Sequence, residues 1–149
     1  MITYERVNAN GPTGGIFMDV SLLLGQLSTN AEPLKIERFL QVCLQHNVFV
    51  ARDDERLNRP VVGTATLVVI EQFVGKRGRV EDVIVDSGYR GKGIGRGLME
   101  HLHAHAKVLN VLKLTLTSKP EREIANELYP RLGYKLARTN VYTIDLSGA

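Results

Sequence analysis

The sequence predicts an α+β fold, because hydrophobic patterns of helical and of strand period alternate along it. The central observation is a run rich in β-branched residues at 79–85, which indicates a strand. A glycine-rich stretch at 90–97 follows it, and then a helix whose apolar residues recur at helical spacing. The length of 149 residues and the 44% hydrophobic content are typical of one core. We therefore expect residues 1–149 to form a single domain.

The other elements follow from the same patterns and from their bounding turn residues. In chain order we expect a strand at 2–7, helices at 16–27 and 34–46, a hairpin of strands at 48–51 and 61–69, a strand at 111–117, a helix at 122–132 ended by Gly133, and two final strands at 134–137 and 140–146.

Composition and charge argue against several classes of protein. Nineteen Lys and Arg against sixteen Asp and Glu give a net charge of +3, and no arm of like charge carries it, so we expect no nucleic-acid partner. The longest apolar run, 65–70, is far too short to span a membrane, and the first residues do not resemble a secretory signal. One cysteine, Cys43, cannot form an internal disulfide, which predicts a cytoplasmic location.

The glycine-rich stretch is a candidate phosphate cradle. Such a turn directs several main-chain N–H groups of a helix N-terminus toward one point, and Arg90, Lys92 and Arg96 add positive charge. A plain strand-to-helix turn is the alternative. A nucleotide-hydrolase loop would end Gly-Lys-Ser/Thr, whereas Gly91-Lys92 is followed by Gly93. A dinucleotide fingerprint would need an acidic residue at the tip of the next strand, and 111–117 has none.

Two motifs resemble those of the GNAT superfamily of N-acetyltransferases. The first resembles its acyl-CoA-binding signature and reads Val83-Ile84-Val85-Asp86-x-x-Tyr89-Arg90-Gly91-Lys92-Gly93-Ile94-Gly95. The second is Ala125-x-x-Leu128-Tyr129-x-x-x-Gly133-Tyr134. The resemblance implies a mostly antiparallel, splayed central sheet with helices on both faces. It also implies acetyl transfer from acetyl-CoA directly to a primary amine of a small molecule, and a homodimer.

The resemblance further implies the residues that bind the donor. They are Val83, Ile84, Val85, Arg90, Gly91, Lys92, Gly93, Ile94, Gly95, Arg96, Ser118 and Arg122. The pyrophosphate would lie on the N–H groups of 91–96 and the pantetheine along the edge of 83–85. A main-chain N–H near Val83 or Ile84 would polarise the thioester carbonyl. Many family members carry Asn where this chain has Arg122, so Arg122 either binds the cofactor or only begins a helix.

Two residues are candidates for proton transfer. Tyr129 matches the tyrosine that often protonates the leaving thiolate, although it could also simply pack under the cofactor. Glu81 is the candidate base, acting directly or through a water. Strand alternation predicts Glu81, Val83 and Val85 on one face of the sheet. The alternative is that Glu81 and its neighbour Asp82 pair with Arg77 or Arg79 in an ordinary salt bridge.

The same residues allow alternatives to this assignment. The strand at 80–86 also resembles that of glucosamine-6-phosphate N-acetyltransferases, although the segment around Arg122 departs from them. A non-catalytic acyl-CoA-binding regulatory module is a further alternative. We expect residues 11–34 to shape the acceptor pocket. His101 and His105 share a helix face, but without a third ligand we expect a solvated face and no metal site.

Overall fold

The structure, a computed structural model, describes residues 1–11, 13–28 and 32–148. They fall into two compact units, Met1–Thr117 and Ser118–Ala149. The first contains β1 (Ile2–Arg6), α1 (Gly14–Leu27), α2 (Ile36–Gln45), β2 (Asn47–Asp53), β3 (Val61–Gln72), β4 (Gly75–Val85), a 3₁₀ turn (Ser87–Tyr89), α3 (Ile94–Val108) and β5 (Lys113–Thr115). The second contains α4 (Glu123–Arg131). The single-domain organisation stays a prediction.

The five strands form one sheet in the order β1-β2-β3-β4-β5. The first four pair antiparallel, and β5 pairs parallel with β4. This confirms the mostly antiparallel sheet that the family resemblance implies. The strand expected at 111–117 is shorter than predicted, because only Lys113–Thr115 pairs with β4.

Helices cover both faces of this sheet, as expected. On one face, α1 and α2 pack Ile16, Val20, Leu23 and Phe39 into a buried cluster with strand residues that include Val50. On the other face α3 lies so close to β3 that a Cβ on Gly63 would be 3.0 Å from Leu98 Cδ1.

The helical spacing seen in the sequence corresponds to the buried faces of the helices. Ile94, Leu98, Leu102 and Ala106 of α3 are all buried, as their spacing predicts. In α2 the buried residues are Phe39 and Cys43, whereas Leu44 is exposed and Leu40 only half-buried. The buried face of α2 is therefore narrow.

The last segment of the chain differs from the prediction. Within the described residues, 135–148 form neither helix nor strand, so the strands expected at 134–137 and 140–146 are wrong. Only Arg138 and Thr139 separate them, and a two-residue hairpin loop requires Asn-Gly or Gly-x chemistry that these residues lack. Without a hairpin, the alternating pattern of Tyr142, Ile144 and Leu146 leaves these side chains exposed.

The histidines of α3 take part in packing contacts. His101 stacks on Tyr4 with the ring centroids 4.7 Å apart, and its Nδ1 lies 2.8 Å from the carbonyl oxygen of Gly97. His105 Nε2 lies 3.0 Å from Asn47 Oδ1, which also accepts a hydrogen bond from Arg6. Across the described ranges, no group of three or more His, Cys, Asp or Glu could hold a metal ion. In the same ranges no helix is long and apolar enough to cross a bilayer.

We expect Gly78→Ala to destabilise the protein. A Cβ at Gly78 would lie 2.5 Å from Leu114 Cδ2 and 3.0 Å from both Leu67 Cδ1 and Val111 Cγ1, where β4 pairs with β5. Overpacking of this kind costs about 1–3 kcal/mol. The matched control is Gly25→Ala in α1, where nothing lies within 4 Å of the new Cβ and better helix propensity stabilises by about 0.5–1 kcal/mol. Chemical denaturation of both variants should give shifts of opposite sign, and a neutral Gly78→Ala would contradict the packing described here.

We expect acid to weaken the fold partly through His105. Desolvation, and secondarily the charge of Arg6, hold the pKa of His105 below its usual 6.5. As the pH falls below 6.5, His105 binds a proton in the unfolded chain but not yet in the folded one. The free energy of unfolding therefore decreases until the pH drops below the pKa of His105 in the folded protein. His105→Gln keeps a donor for Asn47 but cannot titrate. Its free energy of unfolding should therefore fall less between pH 7.5 and 5 than that of the wild type; an equal fall would contradict this role.

Candidate functional site

The glycine-rich stretch forms an open cradle at the start of α3. Gly91 and Gly93 both have φ of +77°, a conformation that side chains disfavour. A Cβ at either position would meet no atom of the described residues within 4 Å. The first main-chain bond of this helix runs from Gly97 N to Gly93 O at 3.0 Å, so the N–H groups of the three residues before Gly97 have no partner within the helix. The cradle therefore has both the donors and the space for an anion.

Three cations surround the cradle, each in a defined position. Arg90 Nε donates to the carbonyl of Val85 at 3.2 Å. Lys92 Nζ lies 4.9 Å from the centroid of the Tyr89 ring. Arg96 pairs with Glu100 at 2.8 Å. In the described part of the chain Arg90 and Lys92 have no carboxylate partner, so their charges are available to an anionic ligand.

Asp86 fixes the corner between β4 and the cradle. Its N–H donates to the carbonyl of Val62 at 2.9 Å, and its carbonyl accepts from Tyr89 N at 2.9 Å. Its carboxylate accepts from Gly88 N and from Gln26 Nε2, each at 2.9 Å. Every polar group of Asp86 is therefore used to shape the turn that precedes Arg90.

Tyr89 ties the same turn to the end of β2. Its hydroxyl donates to Asp53 Oδ2 at 2.8 Å, and this bond is the main reason that the pKa of Asp53 is lowered. Gln26 and Asp53 could not be recognised as site residues from the sequence, because they lie 60 and 36 residues from their partners along the chain. Asp86 and Tyr89 were visible in the first motif, but only their three-dimensional partners show what they do.

Strand β4 has one open edge beside the cradle. Its pairing with β5 joins Arg77, Gly78 and Arg79 to Lys113–Thr115, yet β4 itself continues to Val85. The two strands thus separate after Arg79, which confirms the expected splay. Val83, Ile84 and Val85 lie on the part of β4 without a β5 partner.

A β-bulge interrupts β4 at the same place. Thr66 pairs with Glu81 and Thr64 with Ile84, so that Asp82 and Val83 together oppose the single residue Ala65. Asp82 has φ of +51°, an uncommon value for a non-glycine residue. The bulge makes the expected alternation wrong, because Glu81 now shares a face with Ile84 instead of with Val83 and Val85.

The two carboxylates at the bulge have different surroundings. Arg79 Nε forms an ion pair with Glu81, which is the alternative left open by the sequence. Desolvation raises the pKa of Asp82, and the negative charge of Glu81 raises it further. The charged form of Asp82 is therefore disfavoured, whereas Glu81 is paired with a cation.

In the second unit, α4 carries Tyr129. This side chain is only 9% exposed and meets the Tyr134 ring edge-on, with the centroids 5.8 Å apart. Burial raises the pKa of Tyr129, and the positive charge of Arg122 opposes the shift. The phenol is therefore protonated at neutral pH.

The segment before α4 contains the other two predicted site residues. Ser118 Oγ is buried without a hydrogen-bond partner among the described residues. Arg122 is the N-cap of α4. Asn126 also fixes this segment, because its Nδ2 donates to the carbonyl of Lys119 at 2.8 Å.

The first unit also has a polar cavity of about 250 Å³ that holds none of the predicted site residues. Arg6, Asn8 and Asn10 line it together with Cys43. Desolvation raises the pKa of the buried Cys43 thiol to about 11, which keeps it protonated. Cys43 is therefore a core residue and a poor nucleophile.

Comparisons with known proteins agree with this architecture. The model of the acetyltransferase (GNAT) family matches residues 24–134. Glucosamine 6-phosphate N-acetyltransferase of Arabidopsis thaliana is 31% identical over 77 residues, which cover 50% of this chain and 52% of that protein. Glucosamine 6-phosphate N-acetyltransferase 1 of Oryza sativa subsp. japonica is 32% identical over 108 residues, 66% of this chain and 64% of that protein. The chain spans about half the length of the first curated relatives it matches.

Among solved structures, an acetyltransferase of Trypanosoma brucei superposes with a TM-score of 0.78 at 23% identity. The match covers 98% of this chain and 100% of that one, and it shows a common fold. The family match over residues 24–134, the splayed sheet and the glycine cradle at the start of α3 lead to one conclusion: the chain belongs to the GNAT acetyltransferase family.

Proposed function

We propose that this protein transfers an acetyl group from acetyl-CoA to a primary amine of a small molecule. The observation that carries the proposal is the open, positively charged cradle at 90–96 next to the unpaired edge of β4. Acetyl-CoA combines a pyrophosphate with an extended chain that bears amides. The cradle suits the pyrophosphate, and the open edge of β4 suits the extended chain.

The cradle binds the pyrophosphate of the donor. The N–H groups of residues 91–96 donate to its oxygens, and Gly91, Gly93 and Gly95 let the main chain approach closely. Arg90, Lys92 and Arg96 compensate its charge. Arg96 contributes least because it is already paired with Glu100.

The open edge of β4 binds the pantetheine arm. Val83, Ile84 and Val85 offer main-chain groups that no β5 residue uses, so the arm pairs with them as an added strand would. The bulge at Asp82 and Val83 releases a main-chain group from the ladder. The N–H of Val83 or Ile84 then polarises the thioester carbonyl as an oxyanion donor.

Tyr129 donates a proton to the leaving thiolate. Its raised pKa keeps the proton in place at neutral pH until the carbon–sulfur bond breaks. Glu81 accepts the proton of the attacking amine, directly or through a water. Arg79 forms an ion pair with Glu81, so the amine must displace Arg79 to reach this carboxylate.

Ser118 and Arg122 contribute further contacts with the donor. The buried Ser118 hydroxyl, which lacks a partner in the described residues, suits an amide or carbonyl of the donor. Arg122 takes the place of the Asn found in many relatives and supplies a positive charge to the donor or its phosphates.

Transfer is direct, in a ternary complex. An acyl-enzyme would need an activated nucleophile, and the one cysteine of the sequence is buried with a pKa of about 11. We further propose a cytoplasmic homodimer whose partners are small molecules and not nucleic acids.

An amino-sugar phosphate is a second candidate for the acceptor, because both named relatives are glucosamine 6-phosphate N-acetyltransferases. The segment expected to shape the acceptor pocket, 11–34, includes residues 12 and 29–31, which lie outside the described residues. Release of free thiol with glucosamine 6-phosphate, compared with a panel of other amines, distinguishes this acceptor from the rest.

Isothermal titration should detect acetyl-CoA binding to the purified protein with a micromolar Kd. In Gly93→Trp the indole occupies the cradle and strains a residue at φ of +77°, so binding should be lost. Thermal unfolding of this variant checks that it is folded. Absence of binding to the wild type would overturn the proposed donor.

Tyr129→Phe should lower kcat by about 10²–10⁴-fold and leave the Kd for acetyl-CoA within about twofold. Because burial raises the pKa of Tyr129 above its usual 10.0, the loss of rate through this proton should have its midpoint above pH 10 in the wild type, and this limb should vanish in the variant. Tyr134→Phe, the neighbouring ring, is the matched control. Equal turnover in Tyr129→Phe would remove the acid role, and a protein that binds acetyl-CoA without turnover would be a regulatory module.

A further inference from the structure

Helix α1 is attached to the sheet by two polar side chains as well as by its apolar face. Ile16, Val20 and Leu23 are buried. Asp19 Oδ2 accepts from the N–H of Val61 at 2.9 Å, at the start of β3. Gln26 lies seven residues, or two helical turns, after Asp19 and therefore on the same side of the helix. Gln26 reaches the turn that follows the last residue of β4.

Gln26 uses both halves of its amide at that point. Its Nε2 donates to Asp86 Oδ2 at 2.9 Å, and its Oε1 accepts from Ser87 N at 3.0 Å. This pair of bonds, which we call the Gln26 clamp, closes on two consecutive residues of the turn before the cradle. Among the described residues, Gln26 is the one hydrogen-bond donor to Asp86 Oδ2.

The clamp acts at the point where the conformation of the cradle is set. The other carboxylate oxygen of Asp86 accepts from Gly88 N, and its carbonyl accepts from Tyr89 N. A carboxylate held on one oxygen only can rotate, whereas one held on both oxygens keeps the turn fixed. Arg90 follows this turn directly, so any freedom at Asp86 is transmitted to the residues that form the cradle.

We infer that Gln26 is a positioning residue for the donor cradle, and that the last turn of α1 is in this way part of the donor site. The inference rests on the proposed function, because it assigns to the clamp an effect on acetyl-CoA affinity. Gln26 itself does not touch the donor. It reduces the conformational freedom that the loop would lose on binding.

Gln26→Leu removes both bonds and keeps a side chain of similar size. The Kd for acetyl-CoA, measured by titration, should rise about five- to tenfold, the size expected for loss of a charge-assisted hydrogen bond at an exposed site. The kcat at saturating donor should stay within about twofold, since the chemical step is unchanged once the cradle is filled. A fall in kcat without a change in Kd would overturn the inference.

A paired substitution tests the hydrogen bonds themselves. Gln26→Glu places a second carboxylate against Asp86 and should weaken donor binding at least as much as Gln26→Leu. Adding Asp86→Asn restores the clamp with donor and acceptor exchanged. The amide now at position 86 donates to the carboxylate now at position 26, and that carboxylate still accepts from Ser87 N. The double variant should bind acetyl-CoA within about twofold of the wild type. Failure of Asp86→Asn to restore affinity would contradict the clamp.

Asp19→Ala is the matched control, because it removes the other polar attachment of α1 and leaves the turn intact. It should lower the melting temperature as much as Gln26→Leu does, yet keep the Kd for acetyl-CoA. An equal rise in Kd in both variants would mean that helix docking alone matters, and would overturn a specific role for Gln26.

Hydrogen exchange of the free protein separates failure of the clamp from failure of the proposed donor. In Gln26→Leu the N–H groups of Ser87, Gly88 and Tyr89 should exchange faster, and the double variant should restore their protection. If the wild type fails to bind acetyl-CoA but exchange responds in this way, the clamp stands and the donor is wrong. Unchanged exchange would overturn the clamp whatever the wild type binds.

Discussion

The separation of β4 from β5 after Arg79 is the constraint on which the site depends. Three residues of β5 complete the sheet beside Arg77–Arg79, and beyond them the main chain of β4 has an unpaired edge. An open edge invites pairing with another extended chain. The bulge at Asp82 and Val83 twists this edge and releases a group from the ladder. An extended ligand with amide groups is thus a natural partner for Val83–Val85, and the cradle begins only five residues after Val85.

The cradle shows how a flexible loop is held ready for a ligand. Glycine loses more conformational freedom on ordering than any other residue, and Gly91, Gly93 and Gly95 lie within five positions. The structure limits that freedom at the preceding turn, where Asp86 joins β3 and α1, and Tyr89 joins β2. Three elements distant in sequence therefore reduce the entropy that binding would cost. The glycines let a ligand approach the main chain closely, and the hydrogen bonds of Asp86 and Tyr89 keep the preceding turn ordered.

The sequence predicted the parts of the site that depend on neighbouring residues. The β-branched run of β4, the glycines and the spacing of Ile94, Leu98 and Leu102 are local signals, and each element formed as expected. Gln26 and Asp53 were missed because their partners are set by tertiary packing. The bulge had no local signal either, since bulges with positive φ usually carry glycine and this one carries Asp82. The two final strands were predicted wrongly for the opposite reason. Their alternating hydrophobic pattern is clear, but Arg138 and Thr139 between them do not form a two-residue hairpin turn.

The two adjacent carboxylates at the bulge have different electrostatic surroundings, which bears on how each can serve the proposed reaction. Here Arg79 forms an ion pair with Glu81, whereas desolvation and the charge of Glu81 disfavour the charged form of Asp82. An acceptor amine arrives as an ammonium ion and can compete with Arg79 for Glu81. When Glu81 takes up the proton of this ammonium ion it loses its own charge, so Arg79 pairs with it again only after the proton has passed to water. Because the ion pair compensates the charge of Glu81, a protonated amine reaches this carboxylate only by displacing Arg79.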